Sequence, residues 1–401
     1  MSIIRHITSP AGFLAAGVKC GIKASGKEDL AIIASDRDCA AAIVTTRNQV
    51  VGAPVIWCRQ IMPRGYGRSR GIVINSGCSN VCTGAAGVKD AKTMATLTAK
   101  HLGCAAKDVL VASTGVIGHR LPMDKIRSGI ADAGSRLGIS LDEYVLKAIM
   151  TTDTRPKSAV VQSHVGKVGF TVAGIAKGSG MIAPSLATMI AVVTTDLAVA
   201  PAALHEALTA AATVSFNAVT VDSDTSTSDT LAVFASGAAG NKPIAAGSAA
   251  FKVFVAALKE VCGELAYAIA ADGEGATKVI RVAVSGARSA AEATIAAKAV
   301  ADSPLFKCAV HGGDPNWGRI VAALGKSAAK IVPDKLSVKI GDVTVFARGG
   351  GRNFNVKAVE QHLAGKEVLV SCDLGLGRGE FTALTCDLSR EYIAINADYH
   401  T

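Results

Sequence analysis

At 401 residues, with 50% hydrophobic and 18% charged side chains, the chain is too apolar for disorder and long enough for two or three average domains or one large α/β unit. Aromatics make up only 4% against 41 Gly, so the core must be built from small and branched aliphatic residues. The net charge of +10 is uneven, with 23 Lys and Arg against 11 Asp and Glu in residues 1–187, and 19 against 21 in residues 188–401. A nucleic-acid binder would interleave aromatics with its cations. The nearest candidate, Arg59, Arg64, Tyr66, Arg68 and Arg70, reads as a solvated loop in a Pro/Gly-rich stretch.

The apolar run Ala11 to Val18 is short and stops at Lys19, so no signal peptide is read. Leu30 to Ser35, Gly71 to Asn75 and Val109 to Ala112 are short apolar runs typical of buried strands. Asp90 to Leu102 and Met123 to Leu137 carry helical patterns, the second with Asp124 in its first turn. Gly178 to Thr195 lacks charge for 18 residues, but Pro184, two Gly and its hydroxyls argue against a membrane helix. Pro201 to Thr213, Lys252 to Ala271 and Ala290 to Ala301 predict helices. The period then shortens: Leu336 to Phe346 alternates, Arg348 to Arg352 turns the chain, and Val368 to Cys372 and Phe381 to Leu388 predict strands. The mixture predicts a layered α/β fold with mixed sheets and substantial antiparallel pairing.

Ten scattered Cys contain no Cys-x-x-Cys, and the eight His no His-Glu-x-x-His, so no metal site is expected. Free thiols in a long chain suit a reducing, cytoplasmic setting better than a disulfide framework. Leu324-Gly-Lys-Ser327 lacks the glycine a phosphate loop needs at position 320, which is Ile, and Gly375 to Gly379 lacks dinucleotide spacing.

The informative stretch is Lys177-Gly-Ser-Gly-Met-Ile-Ala-Pro-Ser-Leu-Ala-Thr188. Taken alone, Thr188 before an apolar strand is ordinary. If the Ala187–Thr188 bond is cut, however, Thr188 presents a hydroxyl beside a free α-amine, whose pKa of about 7.7–8 lets it accept the hydroxyl proton at neutral pH. The chain offers no evident Ser–His or Cys–His pair, so such a nucleophile needs no partner elsewhere. Val111-Ala-Ser-Thr-Gly-Val-Ile-Gly118 follows a predicted strand as a turn whose amides and hydroxyl suit a developing oxyanion.

Together with Met150-Thr-Thr-Asp-Thr154, Asp272-Gly-Glu-Gly-Ala-Thr-Lys278, Gly313-Asp-Pro-Asn-Trp-Gly-Arg319, Ser215-Phe-Asn with Val221 to Thr227, and Cys386-Asp-Leu-Ser through Thr401, these segments make the chain resemble the bifunctional ornithine acetyltransferase (glutamate N-acetyltransferase) family of arginine biosynthesis. The resemblance covers essentially the whole chain. It implies the family's layered α/β architecture, shared with self-processing aminopeptidases. It also implies self-cleavage between Ala187 and Thr188 into an α chain (1–187) and a β chain (188–401), assembled as a heterotetramer. Thr188 would be the nucleophile, and Thr114 and Gly115 the oxyanion groups. Thr151, Lys177, Thr188, Glu274, Asn396 and Thr401 would contact the amino-acid substrate. Acetyl would pass from N2-acetylornithine to Thr188 and on to glutamate, without cofactor, metal, nucleic acid or membrane; acetyl-CoA stays open as a second donor.

The chain departs from the family pattern at Cys78, in Asn75-Ser-Gly-Cys-Ser-Asn80, where an Asn is usual, at Ser223, where a Gly is usual, and at His400. Two rival readings remain: a self-processing aminopeptidase or amidase that passes the acyl group to water, and a basic binding protein without activity.

Overall fold

The computed structural model describes residues 6–139, 141–183 and 189–398. They form two compact units, one comprising residues up to 217 and 225–269, the other 218–224 and 270 onward. The expected chain boundary at 187/188 therefore falls inside the first unit rather than between the two.

In the first unit the strands are β1 (Phe13–Val18), β2 (Leu30–Thr45), β3 (Tyr66–Cys78), β4 (Val109–Val116), β5 (Lys157–Val165), β6 (Val168–Lys177), β7 (Ile190–Thr195) and β8 (Thr230–Ala235). The sheet order is β4-β3-β2-β8-β7-β6-β5, with β1 paired to β2. β3–β4 and β7–β8 are parallel and the other pairs antiparallel, giving the mixed sheet that the succession of predicted elements implies. Its helices are α1 (Ala53–Ile61), α2 (Gly84–Leu102), α3 (Met123–Ser135), α4 (Asp142–Ile149), α5 (Pro201–Val214) and α6 (Ala249–Ala271). α1 and α5 carry Pro54 and Pro201 in their first turns, where the missing N–H is spare. α2 ends at Gly103 in the left-handed conformation that closes helices. Side chains of α1 to α4 join those of β1 to β4 in one aliphatic core that includes Ile32, Ile72, Met94, Val111, Ile130 and Leu146. Over β6, a side chain at Gly174 would strike Val261 and Leu265 of α6 within 3 Å, so glycine lets that helix lie close to the sheet.

The second unit carries β9 (Val279–Ala287), β10 (Ser337–Ile340), β11 (Val343–Ala347), β12 (Gly350–Gly351), β13 (Glu367–Asp373) and β14 (Gly379–Cys386), ordered β12-β11-β10-β13-β9-β14. Only β13–β9 is parallel among these pairs. Its helices are α7 (Ala290–Ala301), α8 (Pro304–Gly312), α9 (Trp317–Gly325), α10 (Val356–Leu363) and α11 (Arg390–Asp398). Ser289, Ser303, Asn316 and Asn355 accept hydrogen bonds from the first turns of α7, α8, α9 and α10, the ordinary chemistry of helix starts. Val282, Ala296, Val338, Val359 and Val370 belong to its separate core.

Two local expectations are corrected. Tyr66 to Arg70 is not a loop: it is the start of β3, because Ala42 to Cys39 of β2 supply a pairing edge in register with Tyr66 to Ser69. Ser113 to Val116 is not a turn but the end of β4, held in parallel register against Asn75 to Cys78. All ten cysteines are free thiols, six of them buried. No described helix is long and apolar enough to cross a membrane.

Candidate active site

The site in the first unit is built where β3, β4 and β6 end. Parallel pairing sets Ser76 against Thr114 and Gly77 against Gly115. Ser113 Oγ donates to Asn75 Oδ1 at 2.6 Å, and Asn75 Nδ2 donates to the Cys78 carbonyl at 2.8 Å. These bonds tie the two strand ends together at the segment where Cys78 departs from the family pattern. The Cys78 side chain is buried and its thiol points to the His119 carbonyl at 3.4 Å, so it fills the position as a small packing group. Gly115 has φ +124, and a Cβ there would lie 2.4 Å from the Gly77 carbonyl carbon. Only glycine lets the two backbones approach this closely.

Lys177, the last residue of β6, is 2% exposed. Its ammonium donates to Thr114 Oγ1 at 3.3 Å, which brings together two of the residues the sequence singles out. Asp153 organises the surrounding backbone. One carboxylate oxygen accepts from the Gly178 amide and from Lys157 Nζ, each at 2.6 Å, and the other accepts from the Thr151 amide at 3.0 Å. The Thr152 and Ser179 hydroxyls meet at 2.8 Å. Thr151 and Lys177 are thus placed through one buried carboxylate. Burial by itself raises the Asp153 pKa, but the charges of Lys177 and Lys157 and the Gly178 amide outweigh it and bring it to about 2. Burial, with repulsion from Lys177 and against the pull of Asp29, lowers the Lys23 ammonium to about 8. The Lys177 ammonium therefore sets a positive charge directly beside Thr114, suited to carboxylates and to negative charge developing on oxygen.

Asp153 was present in the quoted Met150 to Thr154 motif, but its role was not legible there. A charged residue among hydroxyls in a turn looks solvated until burial and partners are seen. Asp229 was not singled out at all. It is fully buried, and its Oδ1 accepts the Met189 amide at 3.0 Å.

The second unit holds Glu274 and Asn396. Asn396 Nδ2 donates to Glu274 Oε2 at 2.8 Å and to the Tyr392 carbonyl at 3.0 Å. Gly275 has φ +70, and a Cβ there would lie 2.6 Å from the Tyr392 amide nitrogen and 2.7 Å from Ser389 Oγ, so glycine allows α11 to approach the Asp272 to Lys278 segment. The Ser389 hydroxyl caps the Gly275 carbonyl at 2.7 Å. Asp387 accepts from the Thr277 and Lys278 amides and the Thr277 hydroxyl, and pairs with His311 Nδ1 at 2.7 Å. The Tyr392 pKa is raised by burial and then by Asp222, Glu274 and Asp224. The surroundings of Tyr392 are anionic.

Ala187, Thr188 and Thr401 lie outside the described residues. Among the described residues no group of three or more His, Cys, Asp or Glu is arranged to hold a metal ion.

Comparison with known proteins gives a consistent result. The model of the ArgJ family matches residues 14–401. The arginine biosynthesis bifunctional protein ArgJ of Dehalococcoides mccartyi is 45% identical over 397 residues, 98% of this chain and 97% of that protein. Among solved structures, a chain of arginine biosynthesis bifunctional protein ArgJ from Bacillus halodurans is 38% identical with a TM-score of 0.50, covering 51% of this chain and 97% of that one. A chain of ornithine acetyltransferase from Mycobacterium tuberculosis, crystallised with ornithine, is 44% identical with a TM-score of 0.42, covering 45% of this chain and 95% of that one.

Proposed function

Because the chain belongs to the ArgJ family, we propose that it transfers acetyl from N2-acetylornithine to glutamate through an acyl-enzyme on Thr188, exposed by self-cleavage after Ala187. The observation that carries this reading is the meeting of Lys177 with Thr114 beside Gly115. A buried cation at the end of β6 lies against the end of β4, where the oxyanion groups are expected, and β6 leads into the Lys177 to Thr188 stretch.

The proposed steps use groups of known chemistry. The Thr188 α-amine takes the hydroxyl proton, and the oxygen attacks the acetyl carbonyl carbon. Negative charge gathers on the carbonyl oxygen and is stabilised by the Thr114 hydroxyl and the Gly115 amide. The C–N bond breaks, ornithine leaves with the proton, and glutamate attacks the acyl-threonine in the reverse sense. Lys177 and Thr151 serve the substrate carboxylate, and Glu274 with Asn396 the ornithine side-chain ammonium. Thr401 completes the proposed substrate set. The Lys177 charge beside Thr114 favours an anionic acceptor over water.

Cleavage is compatible with the sheet. Lys177 of β6 pairs directly with Ile190 of β7, and β7 pairs on its other side with β8. A cut after Ala187 therefore leaves strands of the two fragments hydrogen-bonded in one sheet. The Bacillus halodurans chain, almost wholly matched by half of this one, has the length expected of one fragment. The mature protein is proposed to be a cytoplasmic heterotetramer of two α and two β chains, with acetyl-CoA as a candidate second donor.

A denaturing gel with intact-mass measurement tests the processing. The expected products are 187 and 214 residues long, the second starting at Thr188, and Thr188→Ala should remain a single chain. Incubation with acetylornithine, with and without glutamate, should yield acetylglutamate only when glutamate is present. Free acetate as the main product in both cases would favour an amidase. An uncleaved Thr188→Ala protein that still transfers acetyl would overturn the mechanism.

A further inference from the structure

The stretch from Cys386 to Asn396 is bonded repeatedly to the turn that carries Glu274, all of it within the second unit. Asp387, which directly follows β14, is 1% exposed. Its Oδ1 accepts the Thr277 and Lys278 amides, each at 2.8 Å, and its Oδ2 accepts the Thr277 hydroxyl at 2.6 Å. Oδ2 also pairs at 2.7 Å with Nδ1 of His311, in the last turn of α8. Lys278 closes a ring of bonds. Its Nζ donates to the Val310 carbonyl at 2.7 Å and the His311 carbonyl at 3.3 Å, where the end of a helix favours a cation. Burial by itself would raise the Asp387 pKa, but the Thr277 hydroxyl, His311 and the Thr277 and Lys278 amides outweigh it and hold it below the usual carboxylate range. An ionised Asp387 only accepts, so His311 donates to it from Nδ1.

Asp272 to Lys278 lies between α6 and β9 and belongs to neither, so no helix or strand ladder sets its backbone. Gly273 and Gly275 flank Glu274, and a chain with glycine on both sides keeps its conformational freedom until something outside holds it. The close approach is built for such a hold: a Cβ at Gly273 would lie 2.8 Å from Cys386 Sγ, and one at Gly275 2.6 Å from the Tyr392 amide nitrogen. Asp387 fixes the backbone at Thr277 and Lys278, Ser389 fixes the Gly275 carbonyl at 2.7 Å, and Asn396 reaches the Glu274 carboxylate at 2.8 Å. Resting on the reading of Glu274 as partner of the ornithine ammonium, we propose that Asp387, oriented by His311, is the positioning residue that sets the Glu274 carboxylate and with it the preference for an acetyl donor bearing a side-chain ammonium. A charge-assisted hydrogen bond is strong only at short distance. A shift of the Glu274 backbone therefore weakens the hold on the ammonium and leaves the groups proposed for the acetyl and α-carboxylate ends of the donor untouched.

The test compares N2-acetylornithine with N2-acetylnorvaline, which has the same carbon skeleton without the ammonium, as acetyl donors to glutamate on the full processed enzyme. The quantity read is the ratio of kcat/KM for the two donors, which does not depend on how much of a variant is folded. Asp387→Asn keeps the shape and removes the charge. It should narrow the ratio by about tenfold or more, by lowering kcat/KM for acetylornithine alone. His311→Ala, at an exposed position, should narrow the ratio in the same direction, and His311→Asn, whose amide can donate from the place of Nδ1, should regain most of it. An unchanged ratio in Asp387→Asn would overturn the proposal, as would equal losses with both donors; should that variant not fold, an unchanged ratio in His311→Ala does the same. Glu274→Gln tests the reading beneath. A preference that survives Glu274→Gln would sink the pairing of Glu274 with the ammonium, whereas its collapse there beside an unchanged ratio in Asp387→Asn would sink the proposal alone.

Discussion

Lys177 and Thr114 lie 63 positions apart in sequence and their strands are separated by four others in the sheet, yet their side chains meet at 3.3 Å. A flat sheet at about 4.8 Å per strand would hold them far apart. The sheet therefore curls, and the register shift in β2 between Ala34 and Cys39 marks where its pairing with β3 is interrupted. The curl brings the end of β6 to the end of β4.

That meeting makes Lys177→Met a sharp probe. It keeps the apolar stem and removes the charge beside Thr114. Acetyl transfer should fall by about 100-fold or more, the size of removing one partner of a desolvated charge pair. Single-turnover acetylation of Thr188, followed by mass, is the measurement. Lys177→Arg should recover only part of the loss, because the wider guanidinium does not fit a fully enclosed ammonium site.

Asp153 and Lys157 form an ion pair with both side chains almost completely buried. Asp153→Asn leaves the cationic side of this cluster without its counter-charge and should destabilise the protein by about 3–5 kcal/mol in denaturant unfolding. The double variant Asp153→Asn/Lys157→Met should recover part of that loss. It should not recover activity, because Thr151 and Gly178 would still have lost the carboxylate that orients them.

The two buried carboxyls predict opposite pH responses. Asp153 is depressed to about 2, so its contribution is present above the unfolded carboxylate pKa of about 3.9 and is lost as pH falls towards 2. Asp229 is raised, so folding favours its protonated form. Its contribution is present below about 3.9 and is lost as pH rises through its folded pKa. Unfolding midpoints measured against pH should show Asp229→Asn removing the loss on the alkaline side while leaving the acid limb in place. An unchanged slope would show that Asp229 is not buried as an acid.

Ser223 stands in the left-handed region at φ +69, which explains why a glycine is the usual residue there. Ser223→Gly should relieve local strain and stabilise the fold by about 1 kcal/mol. Gly115→Ala should do the reverse, because its new methyl meets Gly77 backbone. Differential scanning calorimetry of both variants checks the pair.

Among ten free thiols only Cys82 and Cys308 are exposed. Burial pushes Cys39, Cys58, Cys262 and Cys372 up to about 12. Iodoacetamide at neutral pH should therefore label two sites rapidly in the native protein and all ten after denaturation, read by peptide mass. Fast native labelling of Cys58 or Cys262 would contradict the core.

Much of this protein was legible along the chain, because aliphatic periodicity and helix-start chemistry act over a few residues. Ala290 to Ala301 emerged with its predicted limits, and Leu336 to Phe346 as the β10–β11 hairpin. The meeting of Lys177 with Thr114 joins two segments that residue type and order had already singled out. Tertiary structure decided what depends on partners distant in sequence. Tyr66 to Arg70 became strand because β2 offered an edge, and Ser113 to Val116 because β3 did. The partners of Asp153 and Asp229 became visible only when burial removed water from their carboxyls and left backbone amides and, for Asp153, a lysine in its place. A carboxylate's protonation and its work are set by what replaces its solvent, and linear order does not carry that information.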